Sequence, residues 1–473
     1  MMKFLTSMAL IVMLSAACAS AEVSRGQQLT IQHGLQLQPV TTKDDIFHLD
    51  TFTAANYTAI LWGWDSNTSL HGAAPGVPWA RWIRDTSEMP PRPGYNEEPY
   101  MSKLVSIQIG DEYNLNDPAQ RQTTIDWLNN YRPQFPNTMF IVNNYGSQVN
   151  DASLADLISR GRPDVISFDT YPYTNGAQPW GGSPLNWYSD MRRYRQHGLA
   201  TNTPVGQYRQ TFHDDFWRDP SPSEFRLNTF GALAFNVKYM GDFIYNTGNS
   251  AFFTGPGGDS NPKPLYEDLQ VVNKQARNLG KALVHLKPVA DAPGAPHTTS
   301  IMFIRGKHLD STATPVFNEF PGYSGFAIDP QSQNYTDWEF ARNDPYLSGP
   351  FNDPGTTNLG TLNNSLDGDV IISWYRLLDE SMDGDAFSNQ VYIMVTNGLA
   401  DMNGDELQTR QQIKLNFGSS LIRFPYDHLE MLDRETGLVV DVPLKRINTN
   451  TMQLDMIFDG GTSELFKFPT GAP

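Results

Sequence analysis

From residue 35 onward the chain alternates short apolar runs rich in β-branched residues with longer stretches in which apolar positions recur every three or four residues. That rhythm predicts βαβ units around a parallel sheet, because parallel strands need helical crossovers. Strands are expected at Leu35–Val40, Tyr57–Trp64, Leu104–Gly110, Met139–Asn143, Val165–Phe168, Val205–Arg209 and Val237–Tyr245. Helices are expected over Arg121–Tyr131, Ala152–Gly161, Pro184–His197 and Ser223–Phe235, with a long amphipathic one over Tyr266–Leu286. An eighth strand fits inside the Pro- and Trp-rich insertion Asn67–Tyr100, which is too long for an ordinary βα loop. The expected α/β architecture is therefore a (β/α)8 TIM barrel over residues 30–288.

Helical periodicity stops at Lys287–His297, where Pro288, Pro293 and Pro296 cluster. Downstream come short alternating runs at Ser300–Arg305, Val370–Leu377, Gln390–Thr396, Gln411–Phe417, His428–Leu432, Leu438–Val442, Met452–Ile457 and Glu464–Phe468. Turn residues such as Glu435-Thr436-Gly437 and Asp459-Gly460-Gly461 separate them. This texture predicts a C-terminal all-β sandwich domain over residues 298–473, with no regular structure assigned to Ala327–Thr361.

Composition narrows the function. Of 473 residues, 51 are acidic and 34 basic, and the net charge of −17 argues against a nucleic-acid binder, since phosphate binding wants clustered Lys and Arg. The first 21 residues carry Lys3, an apolar stretch from Met8 to Leu14 and small residues at Ala19 and Ala21, as a secretory signal peptide does. The protein is thus expected to be secreted or periplasmic. Cleavage after Ala21 would remove Cys18, the one cysteine; lipid attachment at Cys18 is the alternative. Nothing downstream has the roughly 18 apolar residues of a membrane span. Histidines are scattered without i, i+4 pairs, and no Gly-rich phosphate loop follows a strand, so neither metal nor organic cofactor is expected. Asp401-Met-Asn403-Gly-Asp405 only partly matches a calcium loop.

In a (β/α)8 barrel the residues just after each strand face the active-site mouth. Here the strand near 104–110 runs into Asp111-Glu112 and the strand at 165–168 into Asp169-Thr-Tyr171-Pro-Tyr173. Other strand ends offer Trp62, Trp64 and Asp65, then Asn144, then Arg209 and Gln210, then Asp242 and Tyr245. Amides and acids bond sugar hydroxyls and aromatic faces cover sugar rings, so a carbohydrate partner is expected. Glycoside hydrolysis needs two carboxyl groups, one to protonate the leaving oxygen and one as nucleophile or base. Glu112 and Asp169 fit best; Asp111 is its neighbour's alternate on the strand, so only one of Asp111 and Glu112 is expected to face the pocket. Asp111, Trp62, Trp64, Asp65, Asn144, Tyr171, Tyr173, Trp180, Arg209, Gln210, Asp242 and Tyr245 are expected to bind substrate. Each has a bland alternative: a turn-capping acid for Asp169, core packing for the tryptophans. Trp79, Trp82, Trp180 and Trp187 would wall a long cleft suited to endo action on a polymer.

The order Gly110-Asp111-Glu112, Asp169-Thr-Tyr-Pro-Tyr173, Gly206-Gln-Tyr-Arg-Gln210 and Arg218-Asp-Pro-Ser-Pro-Ser-Glu224 resembles the secreted TIM-barrel glycoside hydrolases related to the beta-galactosidase-like and clan-A enzymes. The resemblance implies an acid/base after strand four, which matches Glu112 if one strand is hidden before it. It also implies a nucleophilic Glu at the end of strand seven, where this chain reads Gln207-Tyr-Arg-Gln210 and has none. An acid pair on strands four and six resembles the alpha-galactosidase-like clan instead, with Asp169 then as acid/base. The tail around Leu429–Gly437 and Gly460–Lys467 resembles the β-sandwich found behind such barrels. A carbohydrate-binding protein without turnover, built on the same barrel, is the competing class, and a surface scaffold a third.

Overall fold

The computed structural model describes residues 23–41, 47–62, 74–175, 184–255, 258–288, 301–304, 327–328, 370–378, 392–418, 426–449 and 451–469. The signal segment, Trp64, Asp65 and Trp180 lie outside the described residues. Eight parallel strands close a barrel: β1 Gln36–Thr41, β2 Ile60–Trp62, β3 Trp79–Ile83, β4 Leu104–Ile109, β5 Met139–Asn144, β6 Val165–Phe168, β7 Val205–Gln210 and β8 Val237–Phe243. Each pairs with the next, and β8 returns to β1 through Gln36↔Tyr239 to Pro39↔Asp242. The strand hidden in the Trp-rich insertion is β3, which makes β4 and β6 the strands before Glu112 and Asp169.

Helices are α1 Arg25–His33, α2 Leu49–Ala54, α3 Pro118–Tyr131, α4 Asp151–Gly161, α5 Pro184–Thr201, α6 Pro222–Ala234 and α7 Leu265–Leu283. Their starts follow from sequence. Asp117 caps α3, with Pro118 pre-set for the first turn, and Ser221 with Glu224 forms a capping box at α6. The short α1 lies under the barrel, where Arg25 pairs with Asp164 and Leu29 joins the lumen core.

Alternation sorts the strand residues. Leu61, Ala80, Met139, Ile141, Val165, Tyr208 and Tyr239 fill the lumen, while Ile60, Ile107, Phe140, Ile166 and Phe168 face the helices. Two glycines make room for the lumen tyrosines: a Cβ at Gly206 would lie 2.8 Å from the Tyr239 ring, and one at Gly241 2.3 Å from that of Tyr208. Tyr208 can therefore cross the lumen and donate its hydroxyl to Gln108 on β4.

Beyond the barrel, β9 Leu286–Pro288 pairs with β12 Val370–Leu377. Strand β12 sits in a sheet with β10 Ile301–Ile304, β11 Ala327–Ile328, β13 Tyr392–Asn397, β19 Ser463–Lys467, β15 His428–Leu432 and β16 Val439–Pro443. A second sheet of β14 Gln411–Gly418, β18 Thr451–Phe458 and β17 Lys445–Asn448 covers it. Between them lies a core that includes Ile372, Trp374, Val395, Leu454 and Phe466, so the C-terminal region is a β-sandwich. The outer face of the large sheet packs on α6. Ser373 and Tyr375 donate to the Ala234 carbonyl at 2.7 and 2.6 Å, and Ser221 and Ser223 donate to Asp401 O at 2.6 and 3.2 Å. The Asp401–Asp405 segment is thus a docking loop. Squeezed between barrel and sheet, α6 is buried from Ser223 to Ala234, which explains why it carries no polar face.

Arg209 and Asp242, expected among the substrate-binding residues, alternate outward, away from the lumen, and meet each other instead. Arg209 forms a bidentate pair with Asp242 at 2.6 and 2.8 Å, both side chains fully buried. Thr229 and Asn273 take its other donors, and the Tyr57 hydroxyl bonds Asp242 at 2.6 Å. This pair ties β7 and β8 to α6 and α7. Asp242→Asn leaves Arg209 as an uncompensated buried charge. It is expected to cost about 3–5 kcal/mol, read as a lowered denaturant midpoint, while activity per folded molecule is retained.

Candidate active site

At the top of β4 the Gly110 N–H extends the ladder by donating to Ile83 O at 2.8 Å. The backbone then turns sharply. Gly110 has φ +64° and Glu112 φ +47°, and a Cβ at Gly110 would strike the Tyr113 ring. The strand alternation that would send Asp111 and Glu112 to opposite faces therefore ends before them. Both carboxyl groups act electrostatically on Asp169, so both belong to the mouth.

Asp169 reaches the same place from β6, where Phe168 faces the helices and its neighbours face inward. Its N–H donates to Asn144 O at 3.3 Å. The link between the two acidic strand ends is Asn143, whose amide donates to Asp111 Oδ1 at 3.0 Å and to Asp169 Oδ2 at 2.9 Å. Gln108 donates to the same Asp111 oxygen at 3.1 Å while its own carbonyl accepts from Tyr208. A relay from the barrel floor, Tyr208 to Gln108 to Asp111, thus sets one carboxyl.

Crowding moves the protons. Burial and the Glu112 charge push Asp111 up to about 7, against the opposing bonds from Asn143 and Gln108. Asp169 is driven well above the ordinary carboxyl range, first by burial and then by the charges of Glu112 and Asp111. The neighbouring Glu112 carboxyl adds to this by favouring the protonated form of Asp169. A buried acid that holds its proton beside a second carboxyl is the equipment of general acid catalysis.

One wall of the mouth is aromatic. Tyr171 lies 4.9 Å from Phe212, 6.2 Å from Trp217 and 6.3 Å from Phe243, centroid to centroid. Burial, Asp169 and Asp111 together raise the Tyr171 phenol well above its usual range, which places the ring against the acids. Phe216, 42% exposed, continues the wall outward from Trp217 at 6.0 Å.

Of the residues expected to bind substrate, the structure gathers Asp111, Glu112, Asp169 and Tyr171. Others are turned elsewhere. Asn144 shares the outward parity of Phe140 and Val142, and Asn143 takes the place expected of it. Trp62 packs outside the barrel on Phe47 at 6.1 Å. Tyr173 donates to Glu224 O, and Gln210 straps the loops by donating to the carbonyls of Tyr173 and Arg218. Tyr245 bonds Asp259 and packs among Phe52, Tyr57 and Phe253. Trp79 donates to Tyr100 O and Trp187 to Gln207, both in the outer core, so neither walls a cleft; Trp82 alternates inward. Sequence reading passed over Gln108, Phe212, Trp217 and Phe243, and of the strand-end pair Asn143-Asn144 it favoured Asn144. The inward parity of Met139 and Ile141 extends to Asn143; Phe212 and Trp217 lie beyond the strand, where alternation says nothing. Among the described residues no group of three His, Cys, Asp or Glu side chains could hold a metal ion.

No protein-family model and no curated protein sequence matches the chain. Among solved structures it is similar to a rhamnosidase from Novosphingobium sp. PP1Y, at 10% identity over 74% of this chain and 38% of that one, TM-score 0.37. An exo-beta-1,3-glucanase from Blastomyces gilchristii aligns over 52% of this chain and 99% of its own, at 9% identity and TM-score 0.33. A beta-D-glucuronidase from Dictyoglomus thermophilum aligns at 11% identity and TM-score 0.32, the match spanning half of each chain. An aldolase from Escherichia coli K12 aligns over 46% of this chain and 79% of its own, at 10% identity and TM-score 0.28. Glycoside hydrolases thus stand among the similar structures, but at these scores the likeness carries no argument about chemistry.

Two outcomes test the geometry. Gly241→Ala displaces the Tyr208 ring and breaks the relay to Asp111, so mouth titration is expected to change, read by NMR of the Asp111 carboxyl. The second concerns stability. Asp111 keeps its proton in the fold between its ordinary value of roughly 4 and about 7, so native stability falls as pH rises through that window. Asp111→Asn removes this cost. The variant is expected to melt above the wild type at pH 8, with the gap narrowing towards pH 4.

Proposed function

We propose that the protein is a glycoside hydrolase that cleaves an oligo- or polysaccharide with Asp169 as general acid and Glu112 as the second carboxylate. The observation that carries this is the geometry of the barrel mouth, where Asp169 is buried and Asn143 donates both to it and to Asp111, the neighbour of Glu112; burial and the nearby acids raise Asp169 well above the ordinary carboxyl range. Asp169 would protonate the leaving glycosidic oxygen, while Glu112 attacks the anomeric carbon or activates a water. Asp111, clamped by Gln108 and Asn143, adds negative charge once it ionises above about pH 7 and so helps to keep the Asp169 proton in place. Tyr171 and Trp217 would cover the apolar face of a sugar ring. Export through the N-terminal signal segment suits an enzyme that meets glycans outside the cell.

Endo action rests on narrower ground than four tryptophans, since Trp79 and Trp187 are core residues. The outward extension of the aromatic wall by Trp217 and Phe216 now supports it. Trp217→Ala is expected to raise KM for long substrates more than for short ones; equal effects at every length would remove the polymer element.

Gln210, a tied amide where clan-A barrels place a nucleophilic Glu, favours a second reading as a carbohydrate-binding barrel without turnover. Release of reducing ends from a glycan panel by purified protein separates the two. With turnover in hand, Asp169→Asn and Glu112→Gln are each expected to lose on the order of 10²–10⁴ in rate. Activity should fall on the alkaline side as Asp169 gives up its proton. In Glu112→Gln the loss of the neighbouring charge should move the residual alkaline limb to lower pH. Near-normal turnover by either variant would sink the assignment.

A further inference from the structure

The face of the barrel opposite the mouth holds a cavity of about 400 Å³. It lies among the C-terminal end of α5, the first residues of β7 and β8, and the exit of α7. This size falls within the range of small-molecule sites. Its apolar lining comes from Leu199, Val205, Val284, Leu286 and Leu378. Its charge is all of one sign. Lys238, Lys287 and Arg195 line it, and no aspartate or glutamate does among the described residues, in a protein of net charge −17.

Lys238 is the informative group. Alternation on β8 turns it away from the lumen that Tyr239 fills, and it is 5% exposed. Its ammonium donates to Leu283 O at the end of α7, where a cation suits the helix dipole. An ammonium has three N–H donors, so this bond leaves two for a further acceptor. Among the described residues no carboxylate acts on it, and burial pushes the amine down to about 7. Lys287 likewise donates to a backbone carbonyl, Leu378 O, at 3.3 Å. A buried cation with no counter-ion among the described residues costs stability.

We propose that this cavity binds a small amphipathic organic anion, its carboxylate on the Lys238 ammonium and its hydrocarbon body on Val205, Val284 and Leu286. The ligand supplies the counter-ion that Lys238 does not have among the described residues, and the apolar wall excludes purely polar anions such as phosphate. The site is independent of the acidic mouth and of the glycoside hydrolase proposal.

Octanoate and octan-1-ol serve as matched probes with the full chain in calorimetry. Octanoate is expected to bind one site saturably and more tightly than the alcohol. At pH 8 its binding should take up a proton, seen as a heat that depends on the buffer, because pairing recharges the Lys238 amine. Lys238→Met should weaken octanoate by about tenfold or more and leave octan-1-ol unchanged. Leu199→Trp, at the half-buried rim, should block both probes with the circular dichroism spectrum retained, and it keeps the test decisive if Lys238→Met does not fold. No saturable binding, equal affinity for the two probes, or octanoate binding that survives Leu199→Trp would overturn the proposal.

Discussion

Three carboxyl groups brought to the ends of two strands cannot all be ionised, and much of the upper barrel is arranged around that constraint. Asn143 spends both amide protons on holding Asp111 and Asp169 apart yet within one field. The balance is unequal by construction. Asp111 receives two hydrogen bonds that favour its charge and stops near 7, whereas Asp169, more deeply buried and facing two negative neighbours, keeps its proton. Environment rather than residue type thus separates an acid from a charged carboxylate, as happens wherever one site must run both roles at one pH.

The precision of that arrangement comes from below and outside it. The lumen is packed by tyrosines that fit only because Gly206 and Gly241 face them, and the Tyr208 hydroxyl passes the position of the floor to Gln108 and so to Asp111. Outside, the fully buried Arg209–Asp242 pair and its partners Tyr57, Thr229 and Asn273 fix β7 and β8 against the helices. Such a pair is weak evidence of net stability, since desolvation offsets much of its attraction, but it specifies one register. The sandwich contributes in turn by capping the carbonyls at the end of α6 through Ser373 and Tyr375.

The two ends of the barrel carry opposite electrostatics. The mouth concentrates acids beside an aromatic wall, which suits neutral, hydroxyl-rich rings; the opposite face concentrates cations in an apolar cavity. In an acidic protein the second arrangement stands out more than the first, because positive charge had to be gathered there against the overall balance.

Periodicity along the chain was sufficient for the architecture. Runs of period two alternating with amphipathic stretches named the βαβ series, and even the hidden strand was confined to the insertion that contains Trp79–Ile83, because burial on a parallel sheet leaves a legible pattern. The acids Asp111, Glu112 and Asp169 were legible for the same reason: they follow strands, and strand ends converge. Facing was not legible once the strand stopped. Whether Glu112 joins Asp111 at the mouth depends on positive φ at Gly110 and Glu112, which alternation does not anticipate. Arg209, Asp242, Tyr245 and Trp62 read as pocket residues because polarity and aromaticity are the same letters inside a core as in a site. Only tertiary structure decided that Arg209 meets Asp242, with each partner supplied by a different strand, and that the aromatic wall comes from Phe212 and Trp217 in the loop after β7. A side chain's role is set by which distant neighbours satisfy it, and those neighbours are chosen by closure of the barrel, not by the local sequence.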